Sequence, residues 1–276
     1  MQQSVSHNHQ TPIRHPVAIY FVLTYAISWI GALLIAAPRL IKGGPVPKSS
    51  GLLMFPVMLL GPSIAGLLLT WMTDGRGGIE DLFCRMQRFR FPARWYAALL
   101  IPTCLILIVL LCLKTFVSPI FAPNRFFIGI LFGIPAGFIE EIGWTGYAFP
   151  KMHRTHNALG AGILLGLLWG IWHLPVVDYL GTATPHAKYW FPYFLTSIAA
   201  MTAMRVLIAW LYVNTKSVLL TQLMHTSSTG SLVILSPPHT TAAQETLWYA
   251  VYATALWIAV AIVGMYFGKQ LKRHNA

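Results

Sequence analysis

The chain has 276 residues, of which 56% are hydrophobic and 9% charged, and its mean hydropathy is +0.63. A water-soluble domain carries about 25% charged side chains, so this composition excludes an ordinary soluble enzyme, and its apolar richness excludes a disordered chain. Nineteen Lys and Arg against seven Asp and Glu give a formal charge of +12; in a membrane chain such bases gather in loops and set topology, so no nucleic-acid partner is expected.

The polar segment 1–16 reads as a disordered tail. A crossing helix needs about 20 apolar residues, and 17–37 is the first stretch to meet that. It is longer than a signal-peptide core of about 7–15 residues, so it reads as a retained span; cleavage near Ala37 would remove it. The second span is 52–72 and contains Gly61-Pro62-Ser63-Ile64-Ala65-Gly66. The segment 73–95 reads as a basic loop with five Arg, suited to anionic headgroups. Spans follow at 96–117, 126–149, 158–180, 189–213, 217–235 and 246–268, and 269–276 is a basic tail. Cys84, Cys104 and Cys112 show no spacing of a metal site or disulfide framework. The expected fold is an all-α polytopic transmembrane bundle of about eight spans, with one membrane domain over 17–268.

With the N-terminus inside, twelve bases fall on the inner side and six on the outer, leaving Arg205 within a span. The positive-inside rule therefore places both termini in the cytoplasm of a multi-pass plasma-membrane protein.

Of the seven acids, only Glu140 and Glu141 lie deep in a span. Asp74, Glu80 and Asp81 fall in the basic loop, Asp178 near the end of the fifth span, and Glu245 in the last outer loop. Two adjacent carboxyls in hydrocarbon are costly unless they face a cavity or a partner. His173 and His225 also lie within spans, whereas His7, His9, His15, His153, His156, His186, His239 and His274 fall in tails or loops. Helical spacing puts Trp169 with His173, and His225 with Thr229, on common faces. A lone intramembrane His often bridges helices by a hydrogen bond. Two Glu and two His on three helices point instead to one buried polar site able to move protons. Arg205 reads as a buried ion pair with Glu141 or as a snorkelling base.

At these residues the sequence resembles the CPBP family of intramembrane proteases, which includes CAAX prenyl endopeptidases of type II and bacteriocin-processing, Abi-like members. Glu140-Glu141-Ile142-Gly143-Trp144-Thr145-Gly146-Tyr147 resembles its first motif. Trp169-Gly170-Ile171-Trp172-His173 resembles the second, and His225-Thr226-Ser227-Ser228-Thr229 the third. The order and spacing match over roughly 50–235. The first motif usually has Arg where Thr145 stands, and the third usually has Asn where Thr229 stands. Arg205 is a candidate substitute for the former, and the Thr229 hydroxyl for the latter, since a hydroxyl also donates.

The resemblance implies an intramembrane endopeptidase cleaving a peptide or a prenylated, CAAX-type protein near the cytoplasmic face. Glu140 would activate water with help from His173, while His225 and Thr229 steady the oxyanion and Glu141 supports them. Trp144, Trp169 and Trp172 are the expected substrate-binding aromatics. Zinc on Glu140, His173 and His225 is the alternative to a cofactor-free glutamate mechanism. The glutamate mechanism is preferred because the helical His pair of H-E-x-x-H is missing. The competing functions are a catalytically silent scaffold or immunity protein, motivated by Thr145 and Thr229, and a proton-coupled transporter, which would predict an inverted repeat that the sequence does not display.

Overall fold

A computed structural model describes residues 14–179 and 185–272. Helix α1 (Pro16–Ile41) starts on a proline, whose fixed φ suits a first turn. Its buried residues Tyr20, Thr24, Ser28, Ala32 and Ala36 recur every fourth position. They form one narrow stripe against helix α2 (Gly51–Met86). The approach is close because Gly61 has no side chain: a Cβ there would lie 2.0 Å from Ser28 Oγ. Ser28 Oγ in turn donates to the Met58 carbonyl at 2.8 Å.

Helix α2 does not end where the apolar stretch ends. It bends at Gly75, whose φ is 65°, and continues as helix to Met86. The sequence predicted a loop from residue 73. The helix persists because Arg76 pairs with Glu80 at 2.9 Å and Arg85 with Asp81 at 2.7 Å, both at i,i+4 spacing. Only residues 87–92 connect to α3 (Ala93–Ala98), which leads into α4 (Ile101–Phe116).

The fourth crossing is broken into short pieces. After a 3₁₀ turn at Phe127–Gly129 come α5 (Ile130–Pro135), a π-helical turn (Ala136–Glu140) and α6 (Glu141–Gly143). A second π-helical turn (Trp144–Ala148) and α7 (Phe149–Met152) complete it. The remaining crossings are α8 (Ala158–Trp172), α9 (Trp190–Thr215), α10 (Val218–Leu235) and α11 (Ala242–Phe267). Asn157 caps α8 by accepting from Gly160 N–H at 2.8 Å, and Ser217 caps α10 by accepting from Leu220 N–H at 3.1 Å. A Thr241–Gln244 capping box opens α11, so Glu245 sits inside that helix rather than in the loop the sequence predicted.

The described residues hold eight helical segments long and apolar enough to cross a membrane, and no strand. The protein is an all-α, multi-pass membrane protein. Helix α9 is its most enclosed element, packed between α8, α10 and α11. Val22, Leu34, Ile41, Met265 and many other large apolar side chains are exposed, as a lipid-facing surface requires. At the C-terminal end, Asn214 Nδ2 donates to the Leu271 carbonyl at 2.7 Å, and Leu159 N–H to the Lys269 carbonyl at 3.0 Å. Residues 269–272 are therefore docked on the bundle and are not a free tail; 273–276, like the segment 1–13, lie outside the described residues.

Alternate crossings sort the connections into two groups. Pro16, residues 87–92, 153–157, 216–217 and the end of α11 lie at one end. Residues 42–50, 117–126, 173–179, 185–189 and 236–241 lie at the other.

Candidate active site

Glu140 is the last residue of the first π turn and Glu141 opens α6, with the second π turn following at Trp144, so the backbone is widened up to and just beyond the glutamate pair. Three helices meet here without room for side chains. A Cβ on Gly143 would lie 2.0 Å from the Pro62 carbonyl oxygen of α2, and one on Gly137 2.3 Å from Thr226 Oγ1 of α10. Successive helical residues diverge by about 100°, so the adjacent carboxyls reach different partners.

Glu140 is buried, and its Oε2 accepts from two indoles, Trp144 Nε1 and Trp169 Nε1, each at 3.0 Å. Glu141 is fully buried and faces charge. Arg205 Nη1 of α9 lies 2.8 Å from its Oε1 and 2.9 Å from its Oε2. The Thr145 hydroxyl also donates to it, and His225 Nδ1 of α10 is 2.9 Å from Oε1. The guanidinium of Arg205 sits over the Trp169 ring, 4.4 Å from its centroid. Of the two readings of Arg205, the structure shows the ion pair with Glu141.

Trp169 ties the centre together. Besides its bond to Glu140 and its face toward Arg205, its ring meets His225 edge-on at 5.1 Å and His173 at 5.7 Å. Its carbonyl accepts from His173 Nδ1 at 2.9 Å. A carbonyl only accepts, so Nδ1 of His173 carries the proton and Nε2 is left for other chemistry. For His225, Glu141 occupies Nδ1 in the same way.

These groups form the floor of a cavity of about 460 Å³. Glu140, Trp169, Trp172, His173, His225 and Thr229 all line it. Thr229 is one turn beyond His225 on α10. The walls are apolar and aromatic, with Phe55, Met58, Phe132, Met201 and Met204. Trp144 is buried behind Glu140, against Tyr20 and Trp172, and does not line the cavity. Glu141 is likewise behind the cavity wall, holding His225. Among the described residues no three His, Cys, Asp or Glu side chains gather as a metal-ligating group.

The cavity runs from Glu140 toward the end that carries residues 42–50 and 236–241. Lys48, Ser49, Leu52, Phe126, Tyr179 and Tyr249 line its outer part. This end is opposite the one at which α1 begins and α11 ends.

A second polar cluster at that end was invisible in the sequence. His186 is fully buried, stacked on Tyr193 with centroids 3.6 Å apart. Its Nδ1 is 2.9 Å from Asp178 Oδ1, and its Nε2 is 3.5 Å from Glu245 Oε2. Burial disfavours the charged imidazole, but hydrogen bonding to Glu245 and Asp178 outweighs it and raises the His186 pKa above the ordinary value. No motif spacing links residues 178, 186 and 245; only the fold does.

Residues 122–230, the stretch holding every group of the centre, match the family model described as type II CAAX prenyl endopeptidase Rce1-like. The chain is also similar to CAAX prenyl protease 2 of Methanococcus maripaludis, with 30% identity over 95 residues. That stretch is 33% of this chain and 34% of the relative, so the match spans about a third of the relative's length. Both findings agree with the resemblance read from the three motifs, and they support a protease of the CPBP family.

Proposed function

We propose, from that family signature, that the protein is an intramembrane endopeptidase of the glutamate type. The observation that carries the reading is one carboxylate, Glu140, at the floor of an otherwise apolar cavity, with His173 and His225 lining the same space. A cavity in the middle of a bundle keeps water scarce and makes each polar group count for more.

In the reaction, Glu140 takes a proton from a water that attacks the scissile carbonyl carbon. The two indole N–H groups hold its Oε2 and fix its direction. His173, its Nδ1 tied to the Trp169 carbonyl, assists through Nε2. Thr229 and His225 steady the oxygen of the tetrahedral intermediate. The proton on Glu140 then passes to the leaving amine as the C–N bond breaks, restoring the carboxylate. A positioned general base contributes about 10²–10⁴-fold and one oxyanion donor about 10²–10³-fold.

Glu141 acts through others. It neutralises Arg205 and orients His225. Thr145 stands where the family pattern has Arg, and Arg205 from α9 supplies the positive partner instead. That arrangement supports an intact centre despite the departure. The steps above use only groups of this chain: the Glu140 carboxylate, the free Nε2 of His173, and His225 with Thr229.

The apolar walls suit an extended peptide with a hydrophobic or prenylated segment. The test is cleavage of a prenylated peptide library by the reconstituted protein. Glu140→Gln, His173→Ala and His225→Ala should each lose most activity. Wild-type rates in all three would sink the proposal.

A further inference from the structure

At the end of the bundle where α1 begins, a second cavity of about 260 Å³ lies apart from the one above Glu140. Asp74, Asp81 and Arg85 of α2 line one side of it. Their spacing of seven and four residues puts them on one helical face. Tyr147 of the second π turn, Lys151 of α7 and Arg154 in the connection after α7 line the other side. None of these residues takes part in the chemistry at Glu140.

The wall of this cavity carries three bases and two acids. Arg85 Nε is 2.7 Å from Asp81 Oδ2, and Lys151 Nζ is 2.9 Å from Asp74 Oδ2; both bases are largely withdrawn from solvent. Arg85 is fixed further, donating to Tyr212 Oη and to the Gly146 carbonyl, each at 3.0 Å. Lys151 Nζ stands 5.0 Å from the centroid of the Tyr147 ring. Arg154 has no ion pair among the described residues. The two pairs cancel, so Arg154 leaves the wall with one uncompensated positive charge. A phosphodiester carries one negative charge, whereas a phosphomonoester carries about −1.5 to −2. The singly charged group is the better match. Beside the cavity, Trp71 is exposed on α2, three residues before Asp74 and so its neighbour on the helix surface. An exposed indole beside charged groups is the pattern of a headgroup boundary.

We propose that this cavity binds the headgroup of a membrane phospholipid. The phosphodiester oxygens accept from Arg154 and Lys151, and the acyl chains lie along the exposed surface of α2 at Trp71. Basic pockets between membrane helices hold headgroups in this way, and bonds from Arg and Lys to phosphate are of the strong, charge-assisted kind. The occupant also bears on the candidate centre. Arg85 holds the Gly146 carbonyl, and Thr145 of the same π turn donates to Glu141. A headgroup seated against Tyr147 and Lys151 braces that turn from the outside, so lipid binding stabilises the folded protein. The site stands on its own geometry and does not depend on the protease reading.

The test uses the full chain, purified and delipidated in detergent. Dioleoyl phosphatidylglycerol is added, and its tightest binding event is followed by native mass spectrometry and by the unfolding temperature. Dioleoylglycerol, which has the chains without the phosphate, and inorganic phosphate, which has the phosphate without the chains, are the two comparison probes. Arg154→Ala is the site variant; Arg154 is exposed, so the fold should survive its loss. Arg39→Ala, an exposed base in the last turn of α1 at the opposite end, is the control. The expected result is that phosphatidylglycerol binds and raises the unfolding temperature while neither comparison probe does. Arg154→Ala should weaken that binding roughly tenfold, as loss of a charged hydrogen bond would, and Arg39→Ala should leave it unchanged. Equal binding by wild type and Arg154→Ala would overturn the proposal. Equal stabilisation by dioleoylglycerol would remove the phosphate from it, and equal stabilisation by inorganic phosphate would remove the lipid; either result refutes a phospholipid site. Binding is read without turnover, so an inactive protein that behaves as expected would refute only the protease reading.

Discussion

Arg205 and Glu141 show how a charged pair is kept inside a bundle. Both are buried, and the pair is completed by Thr145, His225 and the face of Trp169. Removing one member strands the other, which typically costs about 3–5 kcal/mol. Arg205→Met should therefore lower thermal stability in detergent markedly. Adding Glu141→Gln to it should restore part of the loss, and a double-mutant cycle reads the coupling. Trp169→Phe is a gentler probe. It keeps an aromatic side chain, smaller than the indole, and deletes the N–H that holds Glu140, a bond to a charged group worth about 1.5–3 kcal/mol. Cleavage should fall roughly tenfold or more while the unfolding temperature moves little. Equal losses of stability and activity would assign Trp169 a packing role alone.

The fourth crossing matters most among the elements. Its π turns, with Gly137 and Gly143 between α2 and α10, bring the glutamates to the axis of the bundle. Gly143→Ala would push a methyl to 2.0 Å from the Pro62 carbonyl and 2.5 Å from Tyr20 Oη. Overpacking of this kind costs about 1–3 kcal/mol, so that variant should unfold at a lower temperature. Gly77→Ala, in open space, should not. The eight crossings were legible because a 20-residue apolar run is a strong signal. The helix from Arg76 to Met86 was not, because its evidence lies in i,i+4 charge pairs rather than apolar periodicity. The π turns left no readable mark either. Glu140, His173 and His225 could be singled out because a polar residue in hydrocarbon needs a reason. The contact of Arg205 with Glu141 was one of two readings until α9 was placed beside the pair.

For the whole molecule, the floor of the cavity and its mouth are set by different residues. The floor lies within 122–230, where the family match falls. The mouth also draws on α2, Tyr249 of α11 and the His186 cluster. Asp178, Glu245 and, more distantly, Lys48 are the charged groups at this end that bear on His186 and its partners. A raised folded pKa means the stabilisation is fully present below the ordinary histidine value of about 6.5. It is lost as pH rises through the higher folded value. Thermal stability should thus decline from mildly acidic to mildly alkaline pH, and His186→Gln should flatten that slope. A slope unchanged in His186→Gln would move its origin elsewhere. The cluster's members are eight and 59 positions from one another along the chain, so the sequence alone puts Asp178 near the end of the fifth span and His186 and Glu245 in two separate loops.

The most direct measurement is the cleavage rate of purified protein in proteoliposomes, wild type against Glu140→Gln, with a folded-state check on both. The substitution keeps size and hydrogen-bonding capacity at Oε2 while removing the base. The expected result is a folded Glu140→Gln protein whose rate is lower by about 10²-fold or more. A folded Glu140→Gln protein that cleaves at the wild-type rate would contradict the account.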